Sequence, residues 1–598
     1  MDKMLFMKKL LYPFLFVFIS IIALNCQKEL SFPGEGNTSG NSLAPIKATL
    51  QGRVLDENNQ PAAGVVVRAG GMSVTTDAKG YFRIIKAPLD KNASLVIAEK
   101  SGYFKAYRTF QATAGANHVV IKLIKRSLAG TISASGGEVI LTNGAKIALP
   151  ANAVVKAAGS STYTGNINVY AAYIDPISSD IGQTVPGSFM ADDKDGKRVT
   201  LASYGMLAVE LESASGEKLQ IASGKTATLT SPIPSSILSA APATISLWYV
   251  DEQTGLWKEE GSAVKNGNNY VGEVKHFSFW NCDAGFPGIN LSFKLVDAQN
   301  TPMIHVSARL TRSTGGWWPT AYGYTDSMGI VSGLVPTGET LLLEVLNDCG
   351  NPVYSQNIGP FSQNTNLGSI TVTTTTSSLL TISGVVVNCT GAPVTNGVAI
   401  VNYDGWPRYV STGSNGAFSL TFLRCTGSPA TCDITAVDNT AQQQGSATFA
   451  VTGPALNTGN IIACGTSAAQ FINYTFDGVN YSITSAEAPD SIYAFTYPTG
   501  TPVVYSNDIM GFKYSLNRNI RVRFTSPAQV PGIYPIEFVS VQDFTWGTTM
   551  IAPSTVTVTS FPASSGGFFE GSFTGSFRDS LATSPVHTIN GNFKVRRY

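Results

Sequence analysis

From about Lys47 onward the chain runs in short stretches of alternating apolar and polar residues, broken by Gly, Pro, Asn and Asp. A period of two marks half-buried strands, and the interrupting residues are those that tight turns require. In GRVLDENNQPAAGVVVRAGGMSVTTDAKGYFRI, residues Gly52, Val54 and Asp56 lead to a turn near Pro61 and Gly64, and Val65 to Arg68 form the next strand. Thr76-Asp77-Ala78-Lys79-Gly80 predicts a second turn, with Asp capping the bend and Gly accepting a positive φ, before Phe82 re-enters the core. The order recurs in LSFKLVDAQNTPMIHVSARL, where Asp297 and Pro302 mark the first turn and Thr325-Asp326-Ser327-Met328-Gly329 the second. A looser copy, ISGVVVNCTGAPVTNGVAIV, places Gly384, Pro393 and Gly397 in corresponding positions, followed by Asn415-Gly416 and Phe418. Repetition of this kind predicts related sandwiches. Between the first two copies, GGEVILTNGAKIALPANAVV predicts a hairpin at Asn143-Gly144, and Asn590-Gly591 predicts another near the C-terminus.

The repeated strand-turn-strand segments resemble the carboxypeptidase regulatory-like (transthyretin-like) domain, a Greek-key β-sandwich of about 80 residues. The intervening stretch, with INVYAAYIDP, YGMLAVELES, LWYVDEQTGLWKEEG and HFSFWNCD, is similar to the sandwich module of cartilage intermediate layer protein. GGFFEGSFTGSF and VHTINGNFKVRRY resemble a terminal domain of Bacteroidetes lipoproteins. The expected fold is all-β, as tandem sandwiches at 46–126, 127–283, 284–376 and 377–465 and a C-terminal β-rich domain at 466–598. Trp248, Trp257 and Trp280 are expected to anchor the core of the second module.

The N-terminus has a different pattern. Lys8 and Lys9 precede an uncharged, almost wholly apolar run from Leu10 to Leu24, short for a membrane span and suited to a secretory signal. Ala23-Leu24-Asn25-Cys26 resembles the lipobox of bacterial lipoproteins, which implies a signal at 1–25 and acylation of Cys26. Each buried methylene contributes about 0.8 kcal/mol, and more than one chain is needed for a stable anchor. Gln27, Lys28 and Glu29 resemble the signal that sends Bacteroidetes lipoproteins to the outer face of the outer membrane. Ser31 to Ser42 lacks apolar periodicity, so 26–45 is expected to be a lipidated, flexible tether. The membrane is therefore an expected partner, through acyl chains.

Composition narrows the function. Charged residues are 13% of the 598, and the net charge of +1 gives no field for nucleic acid. With Cys26 acylated, Cys282, Cys349, Cys389, Cys425, Cys432 and Cys464 remain, an even set whose setting favours three disulfides over metal ligation. The expected pairing joins Cys282 to Cys349 and keeps the other four within one domain. His118, His276, His305 and His587 fall in four different domains, and neither HExxH nor GxSxG occurs. Asp192-Asp193-Lys194-Asp195-Gly196 lacks calcium-loop spacing and reads as a solvated acidic turn. No catalytic residue, cofactor or metal is assigned.

Gly316-Trp317-Trp318-Pro319 and Gly405-Trp406-Pro407, with Tyr409 beyond, stand out from this background. Tryptophan beside Gly and Pro suggests loops, and indoles on loops can stack on sugars or anchor a protein partner. Trp317, Trp318, Trp406 and Tyr409 are the candidate ligand-binding residues, for a glycan or for a surface or matrix protein. The expected function is non-catalytic display of β-sandwiches for binding or adhesion. A structural spacer or scaffold subunit, with Trp318 and Trp406 buried between domains and no isolated ligand bound, is the alternative. An enzyme of unfamiliar type, needing a deep pocket that holds carboxylates, or His276 or His587, with perturbed pKa, is the remote one.

Overall fold

In a computed structural model of the chain, residues 44–76, 79–312, 318–374, 378–404, 406–425, 430–467, 470–484, 491–513, 518–541, 548–562, 567–579 and 584–597 are described. The signal, Cys26, nearly all of the tether, Asp77 and Trp317 lie outside them. The fold is all-β, with 64% of residues in strands and 1% in helix.

Three sandwiches share one topology. In the first, Pro45–Leu55 pairs antiparallel with Tyr81–Asp90 and parallel with Asn117–Lys122. Facing this sheet are Met72–Thr75, Val66–Ala69, Ser94–Glu99 and Ala106–Phe110, in that order. Leu379–Val387 repeats the arrangement, antiparallel to Ala417–Leu423 and parallel to Ala455–Ile462. The later half of Phe279–Val296 does so again, against Ile330–Pro336 and Thr365–Thr371.

The turns repeat at atomic detail. Asp56 Oδ1 accepts from the amides of Asn58 and Gln60, Asp297 Oδ1 from Gln299 and Thr301, and Asn388 Oδ1 from Thr390 and Ala392. Gly80, Gly329 and Gly416 close the second turn at φ 69°, 78° and 75°. A Cβ at these three positions would stand 2.3, 2.7 and 2.6 Å from the carbonyl oxygens of Val54, Leu295 and Val386. Only glycine fits both constraints.

Phe279–Val296 runs straight through the boundary expected at 283/284. Its first part pairs with Arg198–Ser213 and Thr244–Val250 of the second module, and its second part belongs to the third sandwich. Alternation continues across the boundary, so no turn interrupts it. Trp248, Trp257 and Trp280 are core residues, and their indoles donate to the carbonyls of Asp283, Ser188 and His276. Asn143-Gly144 forms its turn, with Gly144 at φ 90° between Gly137–Ile140 and Lys146–Leu149.

The C-terminal domain is a nine-stranded, antiparallel sheet with Val479–Thr484 and Ser491–Thr499 at its ends. Side chains from both ends, including Ile483 and Ile492, share one core. The hairpin expected at Asn590-Gly591 is absent, because both residues lie within the single strand Val586–Arg596. Phe471–Phe476 and Phe568–Arg578 flank that strand. Glycine is needed there for close packing: a Cβ at Gly591 would stand 2.4 Å from the Asn473 oxygen.

Candidate functional site

The aromatic candidates divide on the structure. Trp318 and Trp406 are not loop residues; each opens an edge strand, Trp318–Tyr324 and Trp406–Ser411. Edge placement accommodates the prolines that follow, because a missing N–H costs least on an unpaired side. The side chains of Trp318 and Trp406 lie outside the described set, as does Trp317. Tyr409 is half-buried, its ring 3.4 Å beneath the Arg83 guanidinium of the first sandwich. It also packs against a small cluster of Ile400, Val437 and Phe568, the last from the C-terminal domain. Tyr409 therefore stands in a junction between domains.

The cysteines pair differently from the expectation. Cys349 bonds Cys425 and Cys389 bonds Cys464, while Cys282 and Cys432 are buried free thiols. Cys282 sits in the core of the second module and Cys432 in that of the fourth sandwich, each enclosed by apolar side chains. Burial pushes both thiols up, Cys432 to about 12. The Cys389–Cys464 bond stays within the fourth sandwich as expected, whereas Cys349–Cys425 joins the third sandwich to the fourth in place of the expected Cys282–Cys349 bond.

The structure brings together two histidines that the sequence separates. His118 of the first sandwich stacks on His305 of the third at 4.5 Å, with the rings 19° apart. The Tyr81 hydroxyl donates to Gln51 Oε1 at 3.0 Å, so the Gln51 amide nitrogen faces His305 Nε2, 2.6 Å away. That geometry makes Nε2 the acceptor and leaves the His305 proton on Nδ1. Desolvation depresses both rings, with nearby arginines adding to it: His118 falls to about 3 and His305 well below its usual value. Both are neutral at physiological pH and serve packing.

Further bonds hold the same junction. Thr113 Oγ1 donates to Asp326 at 2.7 Å, the Ala116 amide to Ser327 at 2.9 Å, and Gln111 to Asn290 at 2.7 Å. The Asp326 and Ser327 of the repeated turn thus also dock the first sandwich. Elsewhere Asp508, fully buried, binds Arg521 and Arg523 in the C-terminal domain, and Arg521 reaches Thr75 of the first sandwich at 3.3 Å. The two guanidinium groups outweigh desolvation and hold the Asp508 carboxyl low.

The remaining sequence candidates stay apart. His587 bonds Asp477 at 2.6 Å on the C-terminal domain, and His276 packs between Tyr249 and Trp280 in the second module. In the acidic turn, Asp192 is buried and paired with Arg198 and Lys258, while Asp193 accepts from the amides of Asp195 and Lys197. That turn is therefore only partly solvated.

A cavity of about 70 Å³ opens between the first sandwich, the second module and the third sandwich. Arg108, Gln111, Asn117, Tyr322, Tyr324 and Ser332 are among its lining residues. Sequence reading gave no sign of it, because its walls come from segments some 200 residues apart, as the hydrogen bond from Ser332 to Gln111 illustrates at a separation of 221.

No protein-family model matches the chain. Human cartilage intermediate layer protein 2 is similar at 27% identity over 125 residues, 21% of this chain and 10% of that protein. Its mouse counterpart is similar at 24% over 236 residues, 37% of this chain and 20% of that protein. The chain thus spans between a tenth and a fifth of these relatives' length. Among solved structures, a shaft pilin of Lactobacillus rhamnosus aligns at 10% identity over 30% of this chain and 97% of that one, TM-score 0.16. The Bacillus anthracis TIE protein aligns at 8% over 63% and 73%, TM-score 0.14. Scores this low carry no argument about the present chain.

Proposed function

We propose that the chain is a non-catalytic, lipid-anchored envelope protein that displays joined β-sandwiches at the cell surface for binding or adhesion, with carbohydrate as the favoured ligand class. The observation that carries the reading is continuity of the folded part. One strand is shared by two modules, a disulfide ties the third sandwich to the fourth, and buried polar contacts join the first sandwich to the third. Such joints suit a stiff scaffold that presents its edges. The lipobox-like segment ending at Cys26 supports anchoring, and the low overall charge suits an exported β-protein. The partial similarity to proteins named for a cartilage layer supports a non-catalytic role.

A spacer without a ligand is the second reading, favoured by the packing of Tyr409, a neighbour of Trp406 in sequence, between domains. The two are separated by a glycan array and surface-extract pull-down with protein starting at Gln27, beside a folded Trp317/Trp318/Trp406→Ala variant. Display for binding through the two Trp segments predicts specific capture that the variant loses. Capture equal in both proteins moves the site elsewhere, and no capture by either supports the spacer.

A further inference from the structure

Arg108, in the strand Ala106–Phe110, is 7% exposed and lines the cavity between the first three modules. Its Nε and Nη2 have no hydrogen-bond partner among the described residues, and no described carboxylate forms an ion pair with it. Tyr324 stands on the same lining, but burial pushes its phenol up, so it is neutral and supplies no counter-charge. Burial lowers the Arg108 pKa only to about 10, so Arg108 remains a cation at neutral pH. Other buried arginines nearby are answered: Asp348 and Asp404 act on Arg53 and Arg408. Asp326 does not serve Arg108, because its oxygens accept from Thr113, Gly115, Met328 and Ile330. The Tyr322 hydroxyl, from another lining residue, is likewise buried without a partner. An isolated buried cation is costly, and guanidinium cannot escape the cost by losing its proton.

The geometry points to an anion site: the cavity takes a compact oxyanion, a carboxylate or an inorganic oxyanion, held by Arg108. The void, about 70 Å³, is large enough to admit a compact oxyanion or the charged end of a larger ligand. Guanidinium recognises carboxylates and tetrahedral oxyanions through paired N–H donors. The site is independent of where the chain is displayed, so it can stand or fall apart from the surface reading.

The test is a thermal-shift titration of the full chain in detergent with acetate, glucuronate, phosphate and sulfate, at ionic strength held constant with sodium chloride. At least one oxyanion raises Tm saturably above the chloride control. Arg108→Met weakens the half-saturating concentration at least tenfold, yet melts no lower than wild type in chloride, because it removes an unanswered charge. Gly333→Leu keeps the charge but adds a side chain where no atom stands within 4 Å on the cavity wall, and it weakens the effect equally. If Arg108→Met does not fold, Gly333→Leu decides alone. A response to acetate and glucuronate identifies carboxylate, and one to phosphate or sulfate identifies the inorganic source. No oxyanion effect beyond chloride, or one undiminished in the folded variants, overturns the site.

Discussion

His118 and Asp508 show how single buried ionisable groups set the conditions under which the fold holds. The His118 ring has an ordinary value of 6.5 and a folded value of about 3, so between those pH values the unfolded chain binds more protons. Its contribution is therefore present above about pH 6.5 and is lost as pH falls toward 3. Urea unfolding across pH 7 to 4 is expected to show a shallower loss in His118→Phe than in wild type, since phenylalanine keeps the stacking and cannot charge. Equal slopes would remove His118 from the account. Asp508 has the same pH direction for the opposite reason: its carboxylate is held low by Arg521 and Arg523, and protonation breaks the cluster. Asp508→Ala leaves two guanidinium groups without their acid and is expected to cost about 3–5 kcal/mol in urea unfolding. A loss below about 1 kcal/mol would show that solvent already answers both arginines.

Strands and turns were the most readable level. The Asp326-to-Gly329 turn, the closing glycines Gly80, Gly329 and Gly416, and Asn143-Gly144 form as their chemistry requires, because these signals are local. Asn590-Gly591 shows where local signals fail: pairing on both sides of Val586–Arg596 outweighs the turn preference of the dipeptide. Asn590 is an exposed mid-strand residue, so Asn590→Val is expected to change stability by less than about 0.5 kcal/mol. A larger loss would mark a true turn. The cysteines failed for another reason, since pairing depends on which strands meet, and spacing along the chain carries no such record. Thiol titration of denatured, unreduced protein starting at Gln27 is expected to find two thiols, at Cys282 and Cys432. None would restore the three-disulfide pattern.

At the scale of the molecule, the repeated sandwiches were legible and their joints were not. Each sandwich carries its own alternation and turns, whereas the stack of His118 on His305 and the Arg108 cavity arise only where separate repeats meet. The candidate ligand residues stand out only by their Gly and Pro neighbours, a local signal, and Tyr409 lies within such a joint. Display at the surface is the central claim, and protease treatment of intact cells tests it most directly. The cells carry the chain with a C-terminal epitope, as wild type or Cys26→Ser. The account predicts that protease removes the wild-type epitope without lysis, and that the Cys26→Ser protein leaves the membrane fraction. An epitope protected until lysis, or a Cys26→Ser protein that stays with the membrane as wild type does, would contradict it.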